Sequence, residues 1–204
     1  TEDKIVQGAV RTVLEAIYEP AFLPCSYGFR RGLSAHDALR ALHETMMSGE
    51  VAVVLEADIA SFFDSVDRTA LMEMLQHRVA DGSLLRLVGK CLHVGVLDGE
   101  QLCTPELGTA QGSVLSPLLA NVYLHHVLDL WFAHEVQPRL RGSARLIRYA
   151  DDFVMTFSDA GDAARVIAVL SKRMERYGLR LHPDKTRLVP MQRPPPSAGG
   201  GKGP

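Results

Sequence analysis

Two adjacent carboxylates, Asp151 and Asp152, lie between two short apolar runs. Leu146-Ile147 precedes them and Phe153-Val154-Met155 follows, a pattern that predicts a tight β-hairpin with the acids at its tip. Neighbouring like charges repel unless a positive group compensates them. Mg²⁺ binds hard carboxylate oxygens and is a common compensating ion. Because Asp is also frequent in ordinary turns, the pair indicates either a metal site or plain turn chemistry.

A third acid, Asp58, follows the most strand-like run of the chain, residues 51–55. Burial of an isolated carboxylate is costly, so an acid at the end of a buried strand suggests a ligand. The alternative is an exposed cap of the next segment. Neighbouring strands of one sheet would bring Asp58 beside Asp151 and Asp152. Carboxylates from two strand ends can hold two Mg²⁺ ions about 3.5–4 Å apart.

The net charge of −2 over 204 residues hides an uneven distribution. Residues 139–204 contain 13 Lys and Arg against 6 Asp and Glu, whereas residues 1–138 contain 9 against 18. Of the 22 basic residues 17 are Arg, which suits planar phosphate contacts. A basic C-terminal third beside an acidic body predicts a polyanionic partner, and solvated helix faces are the alternative.

Composition also excludes several classes of protein. The three Cys form no C-x-x-C motif, which predicts buried free thiols in a reducing cytosol. The eight His show no spacing typical of zinc sites. No apolar run approaches about 18 residues, so we expect neither a transmembrane helix nor a signal peptide. With 47% apolar residues, the chain can bury a core for one or two domains.

Hydrophobic periodicity predicts an α+β fold. Helices are expected at residues 6–17 and 117–132, and others begin at the capping residues Ser34, Asp67, Ser83 and Asp162. Asp98-Gly99 predicts a hairpin between residues 92–97 and 101–104. Strands are expected at 51–55, at 145–149 and 153–157, and last at 179–181. This order predicts an antiparallel sheet with helices on one face and the other face free for a ligand.

Five ordered motifs over residues 3–190 resemble those of one family. They are Ser26-Tyr27-Gly28-Phe29-Arg30 with the Arg31-Gly32-Leu33-Ser34 stretch, Asp58-Ile59-x-x-Phe62-Phe63-Asp64, Gly108-Thr109-Ala110-Gln111-Gly112 with Ser116-Pro117-Leu118-Leu119-Ala120-Asn121, Tyr149-Ala150-Asp151-Asp152, and Gly178-Leu179-x-Leu181-His182-x-Asp184-Lys185-Thr186. The chain resembles a reverse transcriptase of the group II intron-encoded and bacterial group II-like type. Ala110 stands where that family usually has Pro, which leaves the loop before Gln111 less constrained.

The resemblance implies a catalytic and metal-binding set. Asp58 and Asp151 would be the main ligands of two Mg²⁺ ions, for which Mn²⁺ could substitute. Asp152 would assist, and the carbonyl of Ile59 would be an extra ligand. Lys185 would lie near the triphosphate and protonate pyrophosphate. The alternative for Lys185 is a solvated lysine at the end of a strand.

The resemblance also implies substrate contacts, each with a plainer alternative. Phe63 would exclude a 2′-hydroxyl, or else be a core aromatic. Gln111 and Gly112 would contact the incoming nucleotide and the template, or else form a plain loop. Tyr149 would also contact the substrate. The pair Arg30-Arg31 would contact template phosphates, or else belong to a surface turn.

As a domain organisation, the resemblance implies the base of the fingers at residues 1–50, the palm at 51–190 and a flexible linker at 191–204. The expected partners are an RNA template, a DNA primer, dNTP and intron RNA. Fingertip and thumb would lie outside these residues, so we expect weak or no synthesis by residues 1–204 alone. An RNA-binding maturase module without polymerisation is the alternative. A nucleotide cyclase palm also places acids on a hairpin, but the Gln111-Gly112 motif argues against it.

Overall fold

The computed structural model describes residues 2–93, 96–98, 101–103 and 114–191. In these residues the helices are α1 (Glu2–Tyr18), α2 (Ala35–Met47), α3 (Phe62–Ser65), α4 (Arg68–Gln76), α5 (Gly82–His93), α6 (Ser116–Leu124) and α7 (Ala160–Arg176). The strands are β1 (Val53–Ala57), β2 (Val96–Asp98), β3 (Gln101–Cys103), β4 (Ala144–Tyr149), β5 (Asp152–Phe157) and β6 (Arg187–Pro190). The predicted α+β class is confirmed.

Four strands form one antiparallel sheet in the order β4-β5-β1-β6. Side chains alternate between its two faces, and β1 and β5 turn apolar residues such as Leu55 and Met155 into the core. Helix α7 packs along β1 and β5. On the opposite face Glu56 and Val154 line a cavity of about 310 Å³ beneath α2. That face is therefore only partly covered, which leaves room for a ligand.

The predicted helix at 117–132 is confirmed and runs further in both directions. Helix α6 begins at Ser116 with Pro117 at its first turn, where the missing N–H of proline is tolerated. Two π-helical turns, His125–Asp129 and Phe132–Val136, continue it. Every residue from Leu118 to Leu124 is buried, so this helix passes through the centre of the fold.

Of the four predicted helix starts, two are confirmed and two are corrected. Ser34 and Asp67 cap α2 and α4 as predicted. Asp81, not Ser83, accepts the hydrogen bonds that begin α5. The cap of α7 is Asp159, and Asp162 lies inside the first turn, where it accepts from the backbone N–H groups of residues 141 and 142.

The last predicted strand is also corrected. Residues 179–181 contribute only a single bridge, between Leu181 and Ile59. The fourth strand of the sheet is β6, which pairs with β1. The hairpin at Asp98-Gly99 is confirmed by the pairing of Asp98 with Gln101, but α5 continues to His93 and shortens its first arm.

No helix in the described part of the chain is both long and apolar enough to cross a membrane. The predicted linker lies almost wholly outside the described residues.

Candidate active site

The acidic hairpin forms as predicted. Tyr149 pairs with Asp152, which leaves Ala150 and Asp151 as a two-residue turn. Ala150 has a φ of 57°, a left-handed conformation that costs a residue with a Cβ about 1–2 kcal/mol. Its neighbours must therefore hold this turn in place.

Asp58 lies beside this hairpin. Ala57 at the end of β1 pairs with Phe153, so the same register carried one residue further places Asp58 opposite Asp152 on one face of the sheet. Asp58, Asp152 and Tyr149 line the cavity beneath α2. Asp151 is half-buried in the adjoining turn. The structure thus brings together the three acids that were predicted from distant parts of the sequence.

Lys185 completes this group of charges. Its Nζ donates to Oδ2 of Asp58 at 2.5 Å, and the two side chains are 63% and 16% exposed. The loop that carries it is tied to the end of β1, because the N–H of His182 donates to the carbonyl of Asp58 at 2.8 Å. The hydrogen bond to Asp58, together with the charge of that carboxylate, raises the pKa of Lys185. The ammonium group is therefore firmly protonated at neutral pH.

The surroundings of Asp152 disfavour its charged form, whereas those of Lys185 favour the charged ammonium. Burial raises the pKa of Asp152, and the charges of Asp151 and Asp58 raise it further, whereas Lys185 lowers it. The negative charge at these ends of β1 and β5 is thus only partly neutralised by one lysine. Such a site favours an additional cation.

These residues fit a divalent ion that is shared with a substrate. In the described part of the chain no three acidic, His or Cys side chains are arranged to hold an ion by themselves. Mg²⁺ however commonly binds one or two carboxylates together with substrate phosphates and water. Asp58 already accepts a cationic group, the Lys185 ammonium, so its oxygens are presented toward positive charge.

Two other predicted site residues belong to the segment after β1. Ile59 is buried and bridged to Leu181, and the backbone hydrogen bonds that flank it are made by Asp58 and Ala60. Phe63 is half-buried against the core, with its ring 5.4 Å from that of Phe62 in an edge-to-face arrangement. This packing agrees with a core aromatic, and the substrate gate stays a prediction.

The predicted nucleic-acid contacts behave differently from one another. Arg30 donates to Glu19 and to the carbonyls of Leu23 and Ser26, so its guanidinium is engaged by the protein. That engagement favours the structural alternative for Arg30. Arg31 is exposed and stays a candidate. Gln111 and Gly112 lie outside the described residues.

The sequence interpretation missed a buried polar group directly beneath the turn. Arg148 and Asp129 are both fully buried, and the guanidinium donates to both carboxylate oxygens at 2.8 and 2.7 Å. Burial alone would raise the pKa of Asp129, but the charge and hydrogen bonds of Arg148 hold it below its usual range. One signal was available: Asp129 occupies an inward position on the apolar helix, where a carboxylate requires a partner.

The sequence interpretation also missed the structural role of the segment before α2, which supports the turn. Ser26 forms an isolated parallel bridge with Arg148, and Gly28 lies against the turn. A Cβ at Gly28 would clash with the backbone nitrogen of Ala150, so only glycine allows this close approach. The side chain of Asn121 donates to the carbonyl of Gly28 at 2.7 Å. The first motif of the chain therefore supports the acidic hairpin from outside the sheet.

Comparison with known proteins agrees with this geometry. The model of the family "Reverse transcriptase (RNA-dependent DNA polymerase)" matches residues 1–194. The group II intron-encoded protein LtrA of Lactococcus lactis subsp. cremoris is 40% identical over 125 residues, which cover 61% of this chain and 20% of LtrA. Protein YkfC of Escherichia coli is 33% identical over 221 residues, which cover 91% of this chain and 57% of YkfC.

Solved structures show the same fold. Telomerase from Candida albicans, in complex with a fragment of telomeric RNA, superposes with a TM-score of 0.68 at 17% identity, covering 94% of this chain and 35% of that protein. Apo telomerase from Candida tropicalis has a TM-score of 0.69 at 16% identity, covering 90% and 37%. The chain spans less than two thirds of the length of each of these relatives. The resemblance inferred from the ordered motifs is confirmed: this chain belongs to the reverse transcriptase (RNA-dependent DNA polymerase) family.

Proposed function

We propose that this chain is the palm of an RNA-directed DNA polymerase that extends a DNA primer on an RNA template. The observation that carries the proposal is the meeting of Asp58, Asp152 and Lys185 in one open cavity, where the C-terminal end of β1 meets the N-terminal end of β5. Three segments distant in sequence supply these groups. Nucleotidyl transfer requires this combination of carboxylates for divalent ions and a cation for phosphate.

In the proposed reaction the primer 3′-hydroxyl gives its proton to water, and its oxygen forms a bond to the α-phosphorus of dNTP. The bond from that phosphorus to the bridging oxygen of the leaving group breaks, and pyrophosphate departs. Asp58 and Asp151 would be the main holders of two Mg²⁺ ions, with Mn²⁺ as a substitute, while Asp152 and the Ile59 carbonyl assist. The bound ions would supply Lewis-acid stabilisation of the attacking and leaving oxygens.

Lys185 is the proposed proton donor to pyrophosphate. Its raised pKa keeps the ammonium protonated at neutral pH, and its exposure allows it to exchange Asp58 for a phosphate oxygen. Donation of one proton neutralises charge on the departing group, and water restores the proton afterwards. Before a phosphate oxygen replaces Asp58, the ion pair keeps the ammonium beside the site.

The remaining assignments are part of the same proposal. Phe63 would exclude a 2′-hydroxyl, Tyr149, Gln111 and Gly112 would contact substrate, and Arg31 would contact a template phosphate. The partners would be an RNA template, a DNA primer, dNTP and intron RNA, in the bacterial cytoplasm. Residues 1–50 would form the base of the fingers and residues 51–190 the palm.

Primer extension by the full-length protein on an RNA template tests the proposal. We expect the double substitution Asp151→Ala with Asp152→Ala to reduce extension to background, and Glu175→Ala, an exposed acid on α7, to leave it unchanged. Extension that survives the double substitution would show that the metal assignment is wrong. RNA affinity that persists in the wild type and in the double variant, without primer extension by the wild type, would support the maturase alternative.

A further inference from the structure

Arg148 uses all five N–H donors of its guanidinium inside the protein. Nε and one N–H of Nη2 donate to Asp129, and the other N–H of Nη2 donates to Oγ of Ser26 at 2.8 Å. Nη1 donates to Oδ1 of Asn121 at 3.0 Å and to the carbonyl of Ala150 at 2.8 Å. An arginine has five such donors in a rigid planar arrangement, so its orientation is fully determined.

These acceptors belong to three segments that meet under the acidic turn. Ser26 lies in the strand-like segment before α2, and Asn121 and Asp129 lie on the central helix. Ala150 is the first residue of the turn itself. Backbone bonds connect the first segment to the same arginine, because Arg148 donates to Cys25 and accepts from Tyr27. One side chain therefore links the base of the fingers, the central helix and the turn.

The bond to the Ala150 carbonyl acts where the backbone is strained. Ala150 has a positive φ, and its peptide leads directly into Asp151. A hydrogen bond from a charged donor is stronger than one between neutral groups, and it can offset the cost of that conformation. The guanidinium thus stabilises the one backbone geometry that presents Asp151 from the turn.

From this geometry we propose that Arg148 is a positioning residue for the catalytic turn, which it orients through the carbonyl of Ala150. The proposal rests on the function proposed above for Asp151 and Asp152. Asn121 supports the same arrangement by accepting from Arg148 and donating to Gly28.

Stability alone does not require this ion pair. Buried ion pairs can be replaced by apolar side chains of similar volume with little loss of stability, whereas removal of one partner alone is strongly destabilising. An apolar pair would fill the same space. It would not, however, hold the carbonyl of Ala150.

Two variants separate positioning from packing. The double substitution Arg148→Met with Asp129→Leu removes both charges together. Arg148→Lys keeps the positive charge beside Asp129 but has only three donors on a single nitrogen, which cannot reproduce the planar set of contacts. The control is Arg11→Met with Glu15→Leu, which removes a partly exposed ion pair on α1, outside the lining of the cavity.

Three measurements are made on each folded protein: melting temperature, amide hydrogen exchange at residues 149–152, and Mn²⁺ affinity by titration calorimetry. We expect the double variant to melt within a few degrees of the wild type. Amides of the turn should exchange at least about tenfold faster while those of α7 are unchanged, and Mn²⁺ should bind at least about threefold more weakly. Arg148→Lys should show the same local effects, and the control none.

Wild-type exchange in the turn together with wild-type Mn²⁺ affinity, in either variant that folds, would overturn the proposal. Exchange that accelerates equally in the turn and in α7 would also overturn it, because the arginine would then serve only global stability. If neither variant folds, Arg148 is a packing residue and the proposal fails. Failure of the polymerase assignment is seen separately, as absence of primer extension by the wild type while the exchange results still stand.

Discussion

Two ion pairs lie near the acidic turn and differ in exposure and in the number of hydrogen bonds that join the partners. Lys185 and Asp58 meet at the surface through one hydrogen bond, and the lysine is largely exposed. Arg148 and Asp129 meet in the core through two, and neither is exposed at all. In the proposed reaction the outer pair must open to admit ions and phosphate. The inner pair has no such role and is satisfied on every donor of the arginine.

The difference shows how this region combines exchangeable and permanent charge. An exposed ion pair contributes about 0–1 kcal/mol, so a metal or phosphate can displace it easily. A buried pair that loses one partner leaves an uncompensated charge in a medium of low polarity. The outer pair is therefore suited to binding, and the inner pair is suited to fixing the backbone from which the acids project.

The largest expected effect is a loss of stability, which should distinguish the two pairs when the Asp of each is replaced by Asn. Asp129→Asn should lower the free energy of unfolding by about 3–5 kcal/mol, because Arg148 keeps its charge without a counterion. Asp58→Asn should change it by no more than about 1 kcal/mol. Urea denaturation at pH 7.5 in the presence of EDTA measures both. Equal losses of stability in the two variants would contradict the contrast between the pairs.

The next effect separates activity from stability in the outer pair. Lys185→Met should leave the melting temperature close to that of the wild type, because an exposed ion pair contributes little to stability. The rate of primer extension should fall by about 10²-fold or more, the usual loss when a general acid is removed. Lys185→Arg, which keeps the charge but holds its proton more tightly, should retain dNTP binding better than the rate. A wild-type rate for Lys185→Met would show that this lysine is only a solvated strand-end residue.

The residues around the outer pair were predictable from the sequence, whereas the contacts of the inner pair were not. The acids of the hairpin, Asp58 and the long central helix each leave a local pattern of apolar and polar residues. Arg148 leaves none, because its acceptors lie on residues 26, 121, 129 and 150, and only the folded chain brings them together. The strand β6 was missed for a similar reason. It is a short edge strand ending in Pro190, and its pairing with β1 is non-local.

The smallest expected effect is a loss of stability caused by repulsion among the carboxylates around the Asp58–Lys185 pair. Burial and the neighbouring carboxylates raise the pKa of Asp152 above its ordinary value near 3.8. Between that value and the raised one, the folded protein binds more protons than the unfolded chain, so stability falls as the pH increases through this interval. At pH values above this interval the full loss of stability is present. Asp152→Asn should therefore melt at a higher temperature than the wild type at pH 7.5 in EDTA.

That advantage should shrink as the pH is lowered through the raised pKa, because the wild-type carboxyl then becomes neutral as well. Groups that titrate equally in both proteins cancel in the difference between the two melting temperatures. The Asp162→Asn variant is the matched control of opposite sign, since hydrogen bonds from backbone N–H groups lower the pKa of Asp162 and its charge is stabilising. A variant at position 152 that is less stable than the wild type at pH 7.5 would mean that the Lys185 ammonium already compensates this acid. In that case the outer region would have no unbalanced charge left to attract an ion.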